Sequence, residues 1–101
     1  GFLPMKKGRK RLLASFTETE ETIVFYESVH RIEKTLNELA EALASQPDRP
    51  VVIARELTKM HEEIVQTTVS GLADVAKKIT QKGEFVIVIG AQRIKDMKDG
   101  D

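Results

Sequence analysis

The chain of 101 residues contains no cysteine and no tryptophan, a single tyrosine, and only 5% aromatic residues. Without cysteine there is no disulfide framework and no thiolate chemistry, which fits a reducing compartment. With so few aromatics, a core must be built from Ile, Val, Leu and Ala. No apolar run approaches the roughly 20 residues needed to cross a bilayer. The basic N-terminal stretch is not followed by the apolar segment of a signal peptide, so a soluble, cytoplasmic protein without a membrane partner is expected. Sixteen basic and sixteen acidic residues cancel, and net charge therefore argues neither for nor against nucleic acid.

What is present is better defined. A hydrophobic content of 41% supports a real core, and the length suits one domain or part of a larger enzyme. A chain of this size buries roughly two-thirds of its unfolded surface. Two stretches stand out, TIVFYESVHR (22–31) and VVIARELTK (51–59). Each is an apolar, β-branched run that ends abruptly in polar groups. Such runs suit strands covered on both faces, as in a parallel or mixed α/β sheet. In open α/β sheets, ligands sit beyond the carboxyl ends of the strands. Tyr26, Glu27, Ser28, His30 and Arg31 fall there in the first stretch, and Arg55, Glu56, Thr58 and Lys59 in the second.

Around these the pattern alternates. Residues 5–16 offer a short basic helix with Leu12, Leu13 and Phe16 inward. A strand follows at 22–27. Ile32, Leu36, Leu39, Ala40 and Leu43 make one face of a helix over 30–44, with Ser28 as a plausible N-cap. Gln46 to Pro50 breaks that helix and leads into a strand at 51–55. A further strand is expected at 62–69. Ser70 then caps a helix over 71–80 whose stripe is Leu72, Val75, Ala76 and Ile79. The last strand is 85–89, ending at Gly90-Ala91, and the charged tail 92–101 is expected to fray. The expected class is α/β, a mixed sheet of four to five strands flanked by helices over residues 1–91. Gly1 to Pro4 reads as a segment cut from something longer.

Several residues have both a structural and a chemical reading. Ser28 and Glu27 either cap and charge a helix N-terminus or, with Tyr26, form a binding edge. Arg55, Glu56 and Lys59 are either a solvated loop with weak ion pairs or cleft-liners, because charges that follow a buried strand must be paired or used. His30 and His61 are the only histidines, too few to indicate a metal site. Lys6, Lys7, Arg9, Lys10 and Arg11 form a basic run that suits phosphate contacts. No aromatic residue interleaves it, so base stacking is not indicated.

The strings GFLPMKKGRKR, VFYESVHR, ARELTKMHEE and GEFVIVIG, in this order and spacing, resemble the C-terminal part of the ribosomal RNA small subunit methyltransferase I family. That family lies within the tetrapyrrole (corrin/porphyrin) methylase superfamily. The resemblance covers nearly all of residues 1–91 and implies the C-terminal domain of the tetrapyrrole methylase fold. It implies an S-adenosyl-L-methionine cofactor facing Tyr26, Glu27, Ser28, Gly90 and Ala91. Arg55 and Glu56 become candidates for catalysis. Lys6, Lys7, Arg9, Lys10, Arg11, Arg31, Thr58 and Lys59 become candidates for the substrate, a cytidine ribose of small-subunit ribosomal RNA methylated at its 2′-oxygen. Residues 67–72 resemble a cofactor-facing turn of the superfamily in altered order.

The resemblance also implies a homodimer and an N-terminal domain of the same chain that carries the glycine-rich cofactor segments. Nothing of that kind stands here, so this chain alone is expected to be inactive. Val29 occupies a position where the family usually has Pro. Two rivals remain: methylation of a tetrapyrrole carbon, and a non-catalytic RNA-binding or dimerisation module. Convergence of residues 26–31 and 55–59 on one edge of a sheet separates the site readings from the last.

Overall fold

The structure, a computed structural model, describes residues 1–58, 60–79 and 82–92. Lys59, the Thr58 side chain and the tail from residue 93 lie outside the described residues, although Gln92 donates its backbone N–H to Glu20 O at 2.8 Å.

Helix α1 (Arg9–Ser15) begins later than the sequence pattern suggests. Gly8, at φ 81°, holds the left-handed turn before it, a conformation glycine adopts without a Cβ penalty. Leu13 and Phe16 are buried as expected, but Leu12 is exposed. Strand β1 (Ile23–Glu27) is followed by α2 (Ile32–Ala42). Ser28 does not cap α2. Arg31 occupies the N-cap position, and Ser28 instead accepts the Arg31 N–H in a turn.

Strand β2 (Pro50–Thr58) runs straight into a hairpin with β3 (His61–Thr68). A 3-10 turn containing Ser70 leads to α3 (Leu72–Lys78), and β4 (Glu84–Ile89) is the last described element. Arg55 and Glu56 therefore lie within β2 rather than in a loop after it. Among the described residues no helix is long and apolar enough to cross a membrane.

The four strands form one sheet in the order β1-β4-β2-β3, every neighbouring pair antiparallel. The two-residue connection between β2 and β3 leaves no room for the crossover that a parallel pair needs. The parallel element of this mixed sheet is a bridge from Phe2 to Tyr26 on the outer edge of β1.

Burial alternates along the strands, so one face rather than both is sealed by helices. Phe25, Ile53, Ile87 and Ile89 point into a single core with Leu36, Leu39, Leu43, Leu72 and Ala76. Val24, Tyr26 and Ile64 stand exposed on the other face. The sequence hid this alternation because Val52, Val86 and Val88 fill outward positions with β-branched side chains, which read as a continuous apolar run.

Candidate functional site

The register decides which residues meet. Glu27 of β1 stands opposite Phe85 of β4, and Phe85 stands opposite Arg55 of β2. Because β4 lies between them and runs the other way, β1 and β2 point in the same direction, and their carboxyl ends reach the same edge of the sheet. The two polar clusters thus converge there. The result is a cleft of about 520 Å³. Tyr26, Glu27, Arg55 and Glu56, singled out in the sequence, line it, together with Phe2, Ala54, Glu62, Glu84, Phe85 and Val86.

The charges in the cleft do different jobs. Glu27 is only 4% exposed. Its Oε2 accepts from the Thr35 hydroxyl at 2.5 Å and its Oε1 from the Ser28 N–H at 2.8 Å. Both carboxylate oxygens are engaged by the protein, so Glu27 shapes the wall. Arg55 is also buried and pairs with Glu63 directly across the β2–β3 ladder. Glu56 is exposed, and Glu84 and Glu62 stand opposite it on the two neighbouring strands. Three carboxylates in one cross-strand row repel one another unless a cation joins them. Tyr26 keeps 49% of its surface exposed beside the Phe2 ring, whose centroid lies 5.9 Å away.

Other expected site residues are elsewhere. Gly90 and Ala91 follow the carboxyl end of β4, which antiparallel pairing puts at the opposite end of the sheet. Gly90 stands about 16 Å from Phe85, at ~3.3 Å per strand residue. The resemblance placed Tyr26, Glu27, Ser28, Gly90 and Ala91 around one cofactor, and the structure sets Gly90 and Ala91 at the other end of the sheet from the cleft. Gly90 needs its lack of a Cβ for a local reason, because a Cβ there would fall 2.8 Å from Pro50 Cγ. Residues 67–71 also belong to that far end, where Thr68 pairs with Pro50.

In the basic run, Arg9 is corrected too. It is 5% exposed and spends its guanidinium inside the protein, donating to Glu38 Oε1, Thr35 Oγ1 and Pro4 O. Lys6, Lys7, Lys10 and Arg11 are exposed. Arg31 is half-buried, and its Nη2 is enclosed without a hydrogen-bond partner among the described residues. His30 and His61 are exposed, and no three His, Cys, Asp or Glu among the described residues converge as metal ligands.

Sequence reasoning missed Arg49. It is buried and donates to the backbone oxygens of Gly90 (2.8 Å), Phe16 (2.9 Å), Thr19 (2.8 Å) and Glu21 (3.1 Å), and to Gln46 Oε1 (2.9 Å). Burial lowers its pKa. The signal available was a lone arginine between two prolines, in a segment read only as a helix breaker.

The comparisons with known proteins give the family and the fold. The family model for tetrapyrrole (corrin/porphyrin) methylases matches residues 2–73. A ribosomal RNA small subunit methyltransferase I of Bacillus subtilis is 40% identical over 90 residues, covering 88% of this chain and 30% of that protein. Its counterpart in Thermotoga maritima is 39% identical over 92 residues, covering 91% and 40%. The crystal structure of a cobalt precorrin-4 methyltransferase, a cobalamin biosynthetic enzyme, superimposes with a TM-score of 0.59 at 29% identity, covering 86% of this chain and 35% of that one. The chain thus spans 30 to 40% of the length of these relatives. With the matched segment running from Phe2 through the cleft's β1 and β2 walls to α3, this chain belongs to the tetrapyrrole (corrin/porphyrin) methylase family.

Proposed function

We propose that this chain is the C-terminal part of an S-adenosylmethionine-dependent methyltransferase that methylates the 2′-oxygen of a cytidine ribose in small-subunit ribosomal RNA. The observation that carries the reading is the row Glu27–Phe85–Arg55, which gives the two polar clusters one edge and one cleft. RNA is favoured over a tetrapyrrole because the relatives named as ribosomal RNA methyltransferases are 40% and 39% identical, against 29% for the precorrin enzyme.

S-adenosylmethionine supplies a transferable methyl group on a cationic sulfonium, next to a cationic amino group. The donor set of the cleft fits such a ligand. Glu56, Glu62 and Glu84 lie in one row that a cation relieves, and the Tyr26 and Phe2 rings offer faces that attract positive charge. Glu27, held by Thr35 and Ser28, and Arg55, held by Glu63, keep the walls in register. Methyl transfer then depends mainly on holding the acceptor oxygen, the methyl carbon and the leaving sulfur in line. Glu56 is the exposed carboxylate offered to take the ribose hydroxyl proton. The remaining contacts to the cofactor are assigned to an N-terminal domain of the same protein. The open apolar face around Val24 and Ile64 supports a homodimer, and the expected setting is the cytoplasm.

The test uses a protein of the relatives' full length, radiolabelled S-adenosylmethionine, and small-subunit RNA or a porphyrinogen as acceptor. Label in RNA that appears as 2′-O-methylcytidine after nuclease digestion is expected. Label in the porphyrinogen alone overturns the reading. The present chain by itself is expected to transfer nothing.

A further inference from the structure

We propose that the groove between α1 and α2 is a seat for the phosphodiester backbone of RNA, and that Lys34 of α2 completes a set of cations begun by Lys6 and Lys10. The inference rests on the RNA reading above and names a place for that substrate which the cleft itself does not offer. The cleft edge carries Glu56, Glu62 and Glu84, which repel phosphate. The groove, of about 550 Å³, has the opposite character. Lys6, Lys10 and Lys34 line it over a floor that includes Leu13 and Ala14.

Two acids also face the groove, and their states differ. Glu38 already accepts two N–H groups from Arg9 through one oxygen, at 3.0 and 2.6 Å. Its charge is answered from within. Glu41 lies one turn further along α2 and away from the lysines. The helices run the same way, because Arg9 reaches Thr35 and Glu38 while the Gln46 side chain donates to Thr17 O at 2.8 Å. Lys6, Lys10 and Lys34 therefore cluster at the N-terminal end of the groove, and Thr17 and Glu41 lie towards the other.

That N-terminal end is the one next to the cleft. Arg9 Nη2 in the groove lies 4.0 Å from Oε2 of Glu27, the residue that forms the cleft wall. A strand seated by its phosphates on the lysines is thus led towards Glu27 and Glu56. Among the described residues none of the three lysines makes an ion pair, whereas Arg9, Arg55 and Lys78 each do. Unpaired ammonium groups act as point charges suited to phosphate. No aromatic residue lines the groove, so it holds the backbone without stacking a base. Lys7 and Arg11, although part of the same basic run, do not line it.

This division gives a test with an internal control. Lys6→Gln with Lys34→Gln removes two charges from the groove, and Lys7→Gln with Arg11→Gln removes two from outside it. Binding of a labelled single-stranded oligoribonucleotide to the chain is followed by fluorescence anisotropy across a salt series. Each single-strand phosphate contact contributes about 0.7 to the slope of log K against log salt. The groove pair is expected to flatten that slope by about 1.4, and the outside pair to leave it nearly unchanged. Equal flattening by both pairs overturns the groove and leaves the RNA reading standing. No RNA binding by the unaltered chain at low salt overturns the groove and leaves the RNA reading to the full-length methylation assay. Polyglutamate bound as tightly as RNA also overturns the groove, making it a dock for an acidic protein segment.

Discussion

Arg9 and Glu38 are joined twice, Nε and Nη2 of the guanidinium donating to the same carboxylate oxygen at 3.0 and 2.6 Å. Through Thr35 the contact continues to Glu27, so a residue read from sequence as a substrate cation is the hub that fixes the cleft wall. Removing it leaves Glu27 and Thr35 enclosed without their cation. Arg9→Ala is expected to lower the stability of the fold by about 3–5 kcal/mol, and Arg9→Lys by somewhat less, since an ammonium cannot reproduce the planar fork. Urea denaturation checks this. A loss below about 1 kcal/mol, typical of an exposed ion pair, would show the network to be dispensable.

Arg49 makes a second expectation. Its guanidinium satisfies four backbone carbonyls from the 3-10 turn after α1, the approach to β1, and the end of β4. Each acceptor left buried and unpaired costs about 1–3 kcal/mol. Arg49→Ala is expected to yield a chain largely unfolded at room temperature, and Arg49→Lys a chain with a markedly lower Tm. Circular dichroism melts give the answer, and a Tm close to that of the unaltered chain would refute the tie.

For Gly90 the expected effect is mutual with Pro50. An added Cβ would lie 2.8 Å from Pro50 Cγ and 3.3 Å from Pro50 O. Gly90→Ala is expected to cost about 1–3 kcal/mol without any ligand present. Combining it with Pro50→Ala removes the closer clash, and the double variant should be less destabilised than the sum of the two single ones. Additive losses would place the reason for this glycine elsewhere.

Much of this was readable from residue order alone, for reasons that can be named. The stripe Ile32, Leu36, Leu39, Leu43 fixed α2, because helical spacing collects large side chains on one face and all four are fully buried. The clusters at 26–28 and 55–56 marked one edge of the sheet, because polar groups that end a buried run must be satisfied there. Strand direction was not readable. A continuous β-branched run looks the same whether its strand lies up or down, so the separation of Gly90 from the cleft was hidden. The fate of Arg9 was also hidden, since nothing in a basic run says which of its members points inward.

Glu56 and Arg55 should now separate. Glu56 is exposed in the cleft, while Arg55 is buried against Glu63. In the full-length protein, Glu56→Gln is expected to slow the single-turnover rate at saturating RNA by about a hundredfold, the lower range for losing a general base, with no change in Tm. Arg55→Ala should first lower the Tm. An unaltered rate in Glu56→Gln would take the proton acceptor away from this strand.

The open face gives an expectation about association. Val24 and Ile64 stand 54% and 59% exposed on it. Light scattering of the chain at high concentration is expected to show a dimer, and Val24→Lys with Ile64→Lys to return it to a monomer without loss of helix signal. A monomer at every concentration would mean that two copies do not cover this face.

The position of β4 carries a consequence for how the molecule comes into being. Among the described strands, the one that comes last in the sequence is the one that lies between β1 and β2, with Ile23 paired to Ile89. Such distant pairing is slow to form. During synthesis the two walls exist early but have nothing to hold them side by side. The cleft therefore closes only once β4 has been made and threads between its elders, which ties ligand capture to chains that already carry all four described strands.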